Sequence, residues 1–216
     1  YFWRSREKEM EALRLENSLN RAELFALKQQ LHPHFLFNTL NQISELIHTD
    51  PVTAERVVVR LGDLLRIALR ELKTEVVTLE RELEFLQKYL EIEQIRYRDR
   101  LKVVLNVDSQ ALKWGVPHML LQPLVENSVK HGLTARECEV IVSIKALDGR
   151  LSLTVEDNGE GKCVGESFGI GLQNTRERMQ RLFGNSYTLE AGARDGGGYR
   201  VAITIPKVEV VCGKRL

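Results

Sequence analysis

A chain of 216 residues has room for one large domain or two small ones with real cores. Its residues are 43% hydrophobic and 28% charged, with a formal net charge of +1, a balance that argues against a nucleic-acid binder and its clustered basic excess. No run reaches the roughly 18 apolar residues of a membrane helix. Cys138, Cys163 and Cys212 are scattered, with neither metal-ligand spacing nor a disulfide framework, so a reducing cytoplasm is the default.

The first residues, Tyr1-Phe2-Trp3-Arg4, are aromatic and then abruptly charged. They read either as the trimmed end of a membrane helix at its aromatic belt or as an exposed terminus. From about Arg4 to Leu31, residues Met10, Leu13, Asn17, Asn20, Leu24, Leu27 and Leu31 alternate three and four apart. That is a heptad seam, which predicts a parallel dimer helix; an amphipathic helix packing on its own chain is the alternative. The helical pattern runs on through Asn38 and Ile47 and breaks at Asp50-Pro51, because proline disfavours helix in the residue before it. A second helix carries Val57, Leu61, Leu64, Leu65, Ala68 and Leu72. The pair predicts a hairpin, and two hairpins would make a four-helix bundle in a dimer. Thr78 is placed as an N-cap, with Glu80 and Glu82 in the first turn of a helix repeating Leu79, Leu83, Leu86 and Leu90. That helix is expected to connect the bundle to the next domain.

Glycine is almost absent before residue 100, where only Gly62 occurs, and frequent afterwards. Short alternating runs predict strands at Leu101–Val107, Glu139–Ala146, Leu151–Glu156, Ser186–Ala191 and Tyr199–Ile205. Helices are expected over His118–His131 and Leu172–Phe183. The whole is an α+β chain, with a helical first part and then a sheet with helices packed on one face.

Four segments carry candidate chemistry. In Leu31-His32-Pro33-His34-Phe35-Leu36-Phe37-Asn38-Thr39-Leu40-Asn41, a proline interrupts a helical stretch, and His34 and Asn38 are four apart on one face. An imidazole is a competent nucleophile near neutral pH, although a helical histidine is more often structural or metal-binding. In Gln122-Pro123-Leu124-Val125-Glu126-Asn127-Ser128-Val129-Lys130-His131-Gly132, polar Asn127, Lys130 and His131 share a face opposite Leu120, Leu121, Leu124 and Val125. An Asn oxygen suits hydrated magnesium and a Lys suits phosphate; alone, however, the segment is an amphipathic helix with a solvated face. Val155-Glu156-Asp157-Asn158-Gly159-Glu160-Gly161 ends a strand in an acidic, glycine-spaced turn, and Gly169-Ile170-Gly171-Leu172 leads into a helix. Glycines there would let backbone approach a phosphate at a helix N-terminus. Neither the dinucleotide fingerprint nor a Walker-type Gly-Lys-Ser/Thr sequence is present.

In this order the four segments resemble the LytS/YehU-type sensor histidine kinases, which combine a PHFLFN phosphoacceptor box with a Bergerat-type ATPase domain. The resemblance runs from about Leu24 to Pro206. His34-Phe35-Leu36-Phe37-Asn38 matches the phosphoacceptor box, and Glu126-Asn127 with Lys130-His131 matches the asparagine box. Asp157-Asn158-Gly159-x-Gly161 matches the first glycine box, and Gly169-Ile170-Gly171-Leu172 with Asn174 the second.

The resemblance implies residues 1–30 as a signalling coiled-coil helix, 31–98 as a dimerisation and phosphotransfer hairpin, and 99–216 as a Bergerat α/β sandwich that binds ATP. It implies His34 as the residue that takes the γ-phosphate and Asn127 as the ligand of Mg2+. Asp157 would read the adenine amino group, with Gly159 and Gly161 making room for the base. Gly169, Gly171 and Leu172 would shape the phosphate side, with Lys130 and His131 as phosphate contacts and Lys162–Phe168 as a lid. Phe35 stands where commoner histidine kinases carry an acid, so Glu126 is the candidate base. The implied partners are a second copy of the chain, a response regulator receiver domain, and a membrane reached through an N-terminal region, with the core in the bacterial cytoplasm. Two other classes remain: a different Bergerat ATPase, which would not need the histidine-bearing helix, and a degenerate scaffold, which would not need the nucleotide boxes.

Overall fold

The computed structural model describes residues 33–71, 74–133, 137–159 and 170–210. The heptad seam up to Leu31, the Tyr1–Arg4 stub, His32, Cys163, Cys212, the expected lid, Gly161 and Gly169 lie outside them. The chain divides after Lys73 into two compact units.

The first unit is built from α1 (Pro33–Thr49) and α2 (Pro51–Glu71), joined through the single residue Asp50. The Asp50 carboxylate accepts from Thr53 N at 3.1 Å, and its carbonyl accepts from Ala54 N at 3.0 Å. Asp50 therefore caps α2, and Pro51 stands first in the helix, where no donor is lost. Phe35, Ala54, Val57, Leu61, Leu64 and Ala68 are buried; of the stripe expected for the second helix, Val57, Leu61, Leu64 and Ala68 are among them, Leu65 is half-buried and Leu72 lies outside the described residues, while Ala54 and Phe35 are additions.

In the second unit, β1 (Val76–Thr78) pairs antiparallel with β3 (Gly115–Pro117), a two-stranded ribbon too short to leave an alternating sequence signal. Between them run α3 (Leu79–Tyr97) and β2 (Leu101–Val107). Then come α4 (Leu121–Gly132), β4 (Cys138–Leu147), β5 (Arg150–Asp157), α5 (Ile170–Phe183), β6 (Thr188–Ala193) and β7 (Tyr199–Pro206). The main sheet has the order β2-β4-β5-β7-β6, with β2 and β4 parallel and the other pairs antiparallel. Alternate residues of β4, β5 and β7 are fully buried and their neighbours only half so, which is the pattern of a sheet covered on one face. The α4 side chains Leu121, Leu124, Val125 and Val129 fill that face with Val140, Val142, Leu153 and Val155.

Thr78 caps α3 as its sequence position predicts, its hydroxyl accepting from Arg81 N at 3.4 Å. Sequence spacing makes α3 a connector, and the resemblance implies an ATP-binding part starting at residue 99. In the structure α3 buries Leu79, Leu83, Phe85, Leu86, Tyr89, Leu90 and Ile92 within the second unit and packs on α4 and β2.

Candidate nucleotide and phosphoacceptor sites

Asp157 closes β5 and is 2% exposed. Its Oδ1 accepts from Gly159 N at 3.0 Å and from Tyr199 N at 3.2 Å. Its Oδ2 is buried with no hydrogen-bond partner among the described residues. A buried carboxylate oxygen left unsatisfied costs about 1–3 kcal/mol or more, and a ligand N–H donor would recover that cost.

Close backbone approach defines the surroundings of Asp157. A Cβ on Gly159 would come within 3.0 Å of Asp157 Oδ1, 3.1 Å of the His131 carbonyl and 3.2 Å of Gly132 Cα. Gly159 thus brings the end of β5 against the C-terminal end of α4, where Lys130 and His131 are exposed. Gly198, at φ +89, presses on the Asp157 carbonyl so closely that any side chain there would collide with it. Arg194 Nη1 donates to the same carbonyl at 3.1 Å. Asn158 fastens the neighbouring strand: Oδ1 accepts from Glu139 N at 2.8 Å and Nδ2 donates to Glu137 O at 3.0 Å. The Cys138 thiol, packed against Gly132, is pushed up to about 11 by burial and then by the Asp157 charge, so it stays protonated.

Of the predicted residues, the structure therefore brings Asp157, Gly159 and the His131 backbone together, with Lys130 beside them on α4. Asn127 is half-buried one turn earlier on the same helix, and Gly171 and Leu172 open α5, which packs on α4. Glu126 projects to another side: its charge is felt by Glu93 and Tyr89 of α3. The Gly198–Tyr199 corner and Arg194 escape the sequence reading, although Asp195-Gly196-Gly197-Gly198 is a signal for backbone at positive φ, and all three glycines adopt it.

In the first unit, His34 is exposed on α1 and the Asn38 side-chain amide lies 3.1 Å from its Nδ1 and 3.3 Å from Nε2. An amide N–H given to one ring nitrogen fixes the proton on the other, so the pair sets the tautomer of an accessible imidazole. Phe35, next to it, is buried, while Phe37 is 67% exposed.

Residues 22–101 match the family described as histidine kinase, and residues 116–209 match the family of histidine kinase-, DNA gyrase B- and HSP90-like ATPases. The chain belongs to the histidine kinases. It is 36% identical over 196 residues to the sensor histidine kinase YesM of Bacillus subtilis, covering 87% of this chain and 34% of that protein. It is 33% identical over 205 residues to the sensor protein LytS of Oceanobacillus iheyensis, covering 87% and 35%. The chain thus spans about a third of the length of these relatives. Among solved structures, the histidine kinase domain of the Erythrobacter litoralis blue-light activated histidine kinase superposes with a TM-score of 0.53 over 88% of this chain and 93% of that one, at 20% identity. That likeness shows the fold, and the ATPase match supports ATP as the ligand of the second unit. No helix among the described residues is long and apolar enough to cross a membrane.

Proposed function

We propose that this histidine kinase transfers the γ-phosphate of ATP to His34 and then to an aspartate of a response regulator. The observation that carries the reading is the orphaned Oδ2 of Asp157: a buried acceptor set in a glycine-walled corner fits the amino group of adenine. Asn127, Lys130 and His131 line the helix that leads into this corner, and Gly171 and Leu172 open the helix beside it. Gly161 and Gly169 complete the site by resemblance.

In the transfer, a His34 ring nitrogen attacks the γ-phosphorus. A P–N bond forms, the bond to the ADP oxygen breaks, and the ring gives up a proton. Catalysis of such a step is mostly positioning and charge neutralisation. Asn127 offers an oxygen for Mg2+, which when bound neutralises phosphate charge. Glu126 is the candidate base, and its charge also reaches Glu93 and Tyr89 of α3.

The exposed apolar residues of the hairpin, among them Phe37, Leu40, Val52 and Val59, support a dimer that closes a four-helix bundle. On this reading residues 1–30 bring the signal, 31–98 carry dimerisation and phosphotransfer, and 99–216 bind ATP, with α3 packed as part of the ATP-binding unit. The relatives' greater length supports further regions, including a membrane anchor that leaves this core in the cytoplasm.

The test is transfer of label from γ-labelled ATP with magnesium to the wild type, His34→Ala and Asn127→Ala. An acid-labile, alkali-stable label absent from both variants supports the assignment. Label persisting in His34→Ala would overturn it.

A further inference from the structure

The turn that leads into α4 is held in an unusual way. Met119 sits at φ 55, a left-handed conformation that a side chain disfavours and that persists only where the surroundings over-determine it. Four hydrogen bonds do so. The Glu82 carboxylate, fully buried on α3, accepts from Met119 N and Leu121 N, both at 2.8 Å, and so caps α4 from a neighbouring helix. His118 N donates to Glu75 O at 3.1 Å, and Arg178 Nη1 donates to His118 O. The other arm of the same guanidinium, Nη2, donates to Glu75 O at 3.1 Å.

Arg178 therefore joins three places. It stands on α5, the helix that follows the second glycine box. It grips the turn that aims α4 and Asn127. It also grips the backbone of Glu75, the second residue of the α/β unit after the chain leaves the hairpin that bears His34. The planar fork of an arginine can hold two carbonyls at once in fixed directions, which a lysine cannot match. No residue assigned to nucleotide contact touches it among the described bonds.

We propose that Arg178 is a positioning residue for phosphoryl transfer, fixing the exit of the hairpin's chain at Glu75 to the two helices that frame the nucleotide. This rests on the His34 kinase reading. It places the effect of Arg178 on the transfer step and not on ATP affinity, because small misplacements of reacting groups cost rate steeply. The Arg178 charge also opposes the rise that burial imposes on Glu82 across the turn.

The test compares the wild-type chain with Arg178→Ala, Arg178→Lys and Glu75→Gln. Single-turnover label transfer gives the rate, and a fluorescent non-hydrolysable ATP analogue gives the affinity. Arg178→Ala is expected to slow transfer about tenfold or more while analogue affinity changes by less than about twofold. Arg178→Lys should fall between, and Glu75→Gln, which keeps the gripped carbonyl and removes the side-chain charge beside Arg181 at 3.2 Å and near Arg178, should lose far less than Arg178→Ala. The lysine variant keeps charge and bulk and decides the matter if the alanine variant fails to fold. Equal rates in Arg178→Lys and wild type, parallel losses of rate and affinity, or a Glu75→Gln defect as large as that of Arg178→Ala would each overturn the proposal. A wild type that takes no label would instead sink the kinase reading itself.

Discussion

The hairpin and the α/β unit bury themselves to very different degrees. In the α/β unit, every second residue of three central strands is buried, those of β4 and β5 under α4, and Leu147 is the one large apolar side chain strongly exposed among its described residues. In the hairpin, Phe37, Leu40, Ile47, Val52, Val58, Val59 and Leu69 are all exposed beside a core of few residues. The α/β unit has a finished interior. The hairpin has a single seam and a large uncovered apolar surface, which a monomer in water rarely tolerates. Stability of the α/β unit should therefore be intramolecular, and that of the hairpin should depend on protein concentration.

The largest expected effect breaks the finished unit at its tightest point. Gly198→Ala places a methyl group into the Asp157 carbonyl at a φ of +89. We expect a loss of about 2–4 kcal/mol of stability and roughly 100-fold in ATP affinity, read by calorimetric unfolding and titration of a nucleotide analogue. The hairpin's transition should not move. Normal ATP affinity in this variant would mean that Asp157 does not need its present position.

Next in size is the uncovered surface. Val59, 58% exposed on α2, becomes a charge in Val59→Glu. If this face meets a second copy, the dimer should weaken about tenfold or more by light scattering, because the new carboxylate would be buried without a partner. ATP affinity of the α/β unit should stay the same. A variant dimer as tight as wild type would move the interface elsewhere and end the contrast drawn between the two units.

The same contrast explains what was legible in the sequence. Long periodic elements were readable because burial on one face imposes the period: the α2 stripe Val57, Leu61, Leu64, Ala68 and the alternation in β4, β5 and β7 are found where expected, with ends moved by a residue or two. The break at Asp50-Pro51 and the Thr78 cap follow local rules that tertiary structure left intact. The three-residue strands β1 and β3 were not readable, since three residues carry no period. Nor was the membership of α3, because a leucine stripe says that a face is buried and not what covers it. The acidic, glycine-spaced turn at Asp157 and Gly159 was visible, but its role toward adenine came only from family resemblance; the Glu82 cap on α4 spans 37 and 39 residues of sequence, beyond any local motif.

A smaller effect tests the acids buried between α3 and α4. Burial raises Glu93 to about 7, the Glu126 charge adds to the rise, and Arg96 opposes it. Glu82 is likewise raised to about 7 by burial, against its backbone donors and Arg178. Both folded values lie above the unfolded value of 4.5, so the stability they contribute is full below about pH 4.5 and is lost as pH rises through about 7. His118 runs the other way, lowered to about 4 by burial and the Arg178 charge, so its contribution is present above about 6.5 and lost as pH falls through about 4. The interval from about pH 6.5 to 8 therefore isolates the acids. Glu93→Gln should flatten the decline across it and gain about 1–3 kcal/mol at its alkaline end, read by urea unfolding. An unchanged slope would mean that Glu93 is ionised without cost, held by Arg96 at 3.9 Å.

The smallest expected effect sharpens the boundary between the units. Thr78 ends β1 and caps α3, and its hydroxyl bond to Arg81 N is exposed and long at 3.4 Å. Thr78→Ala removes that acceptor while Glu80 remains to favour the helix N-terminus. The expected loss is about 1 kcal/mol, a fall of about 3 °C in the midpoint of the α/β transition. Because α3 is packed into the α/β unit, only that transition should shift, at every protein concentration. A shift that instead grows on dilution would tie α3 to the dimerising hairpin, and the physical border would then lie after residue 98, where the sequence alone had placed it.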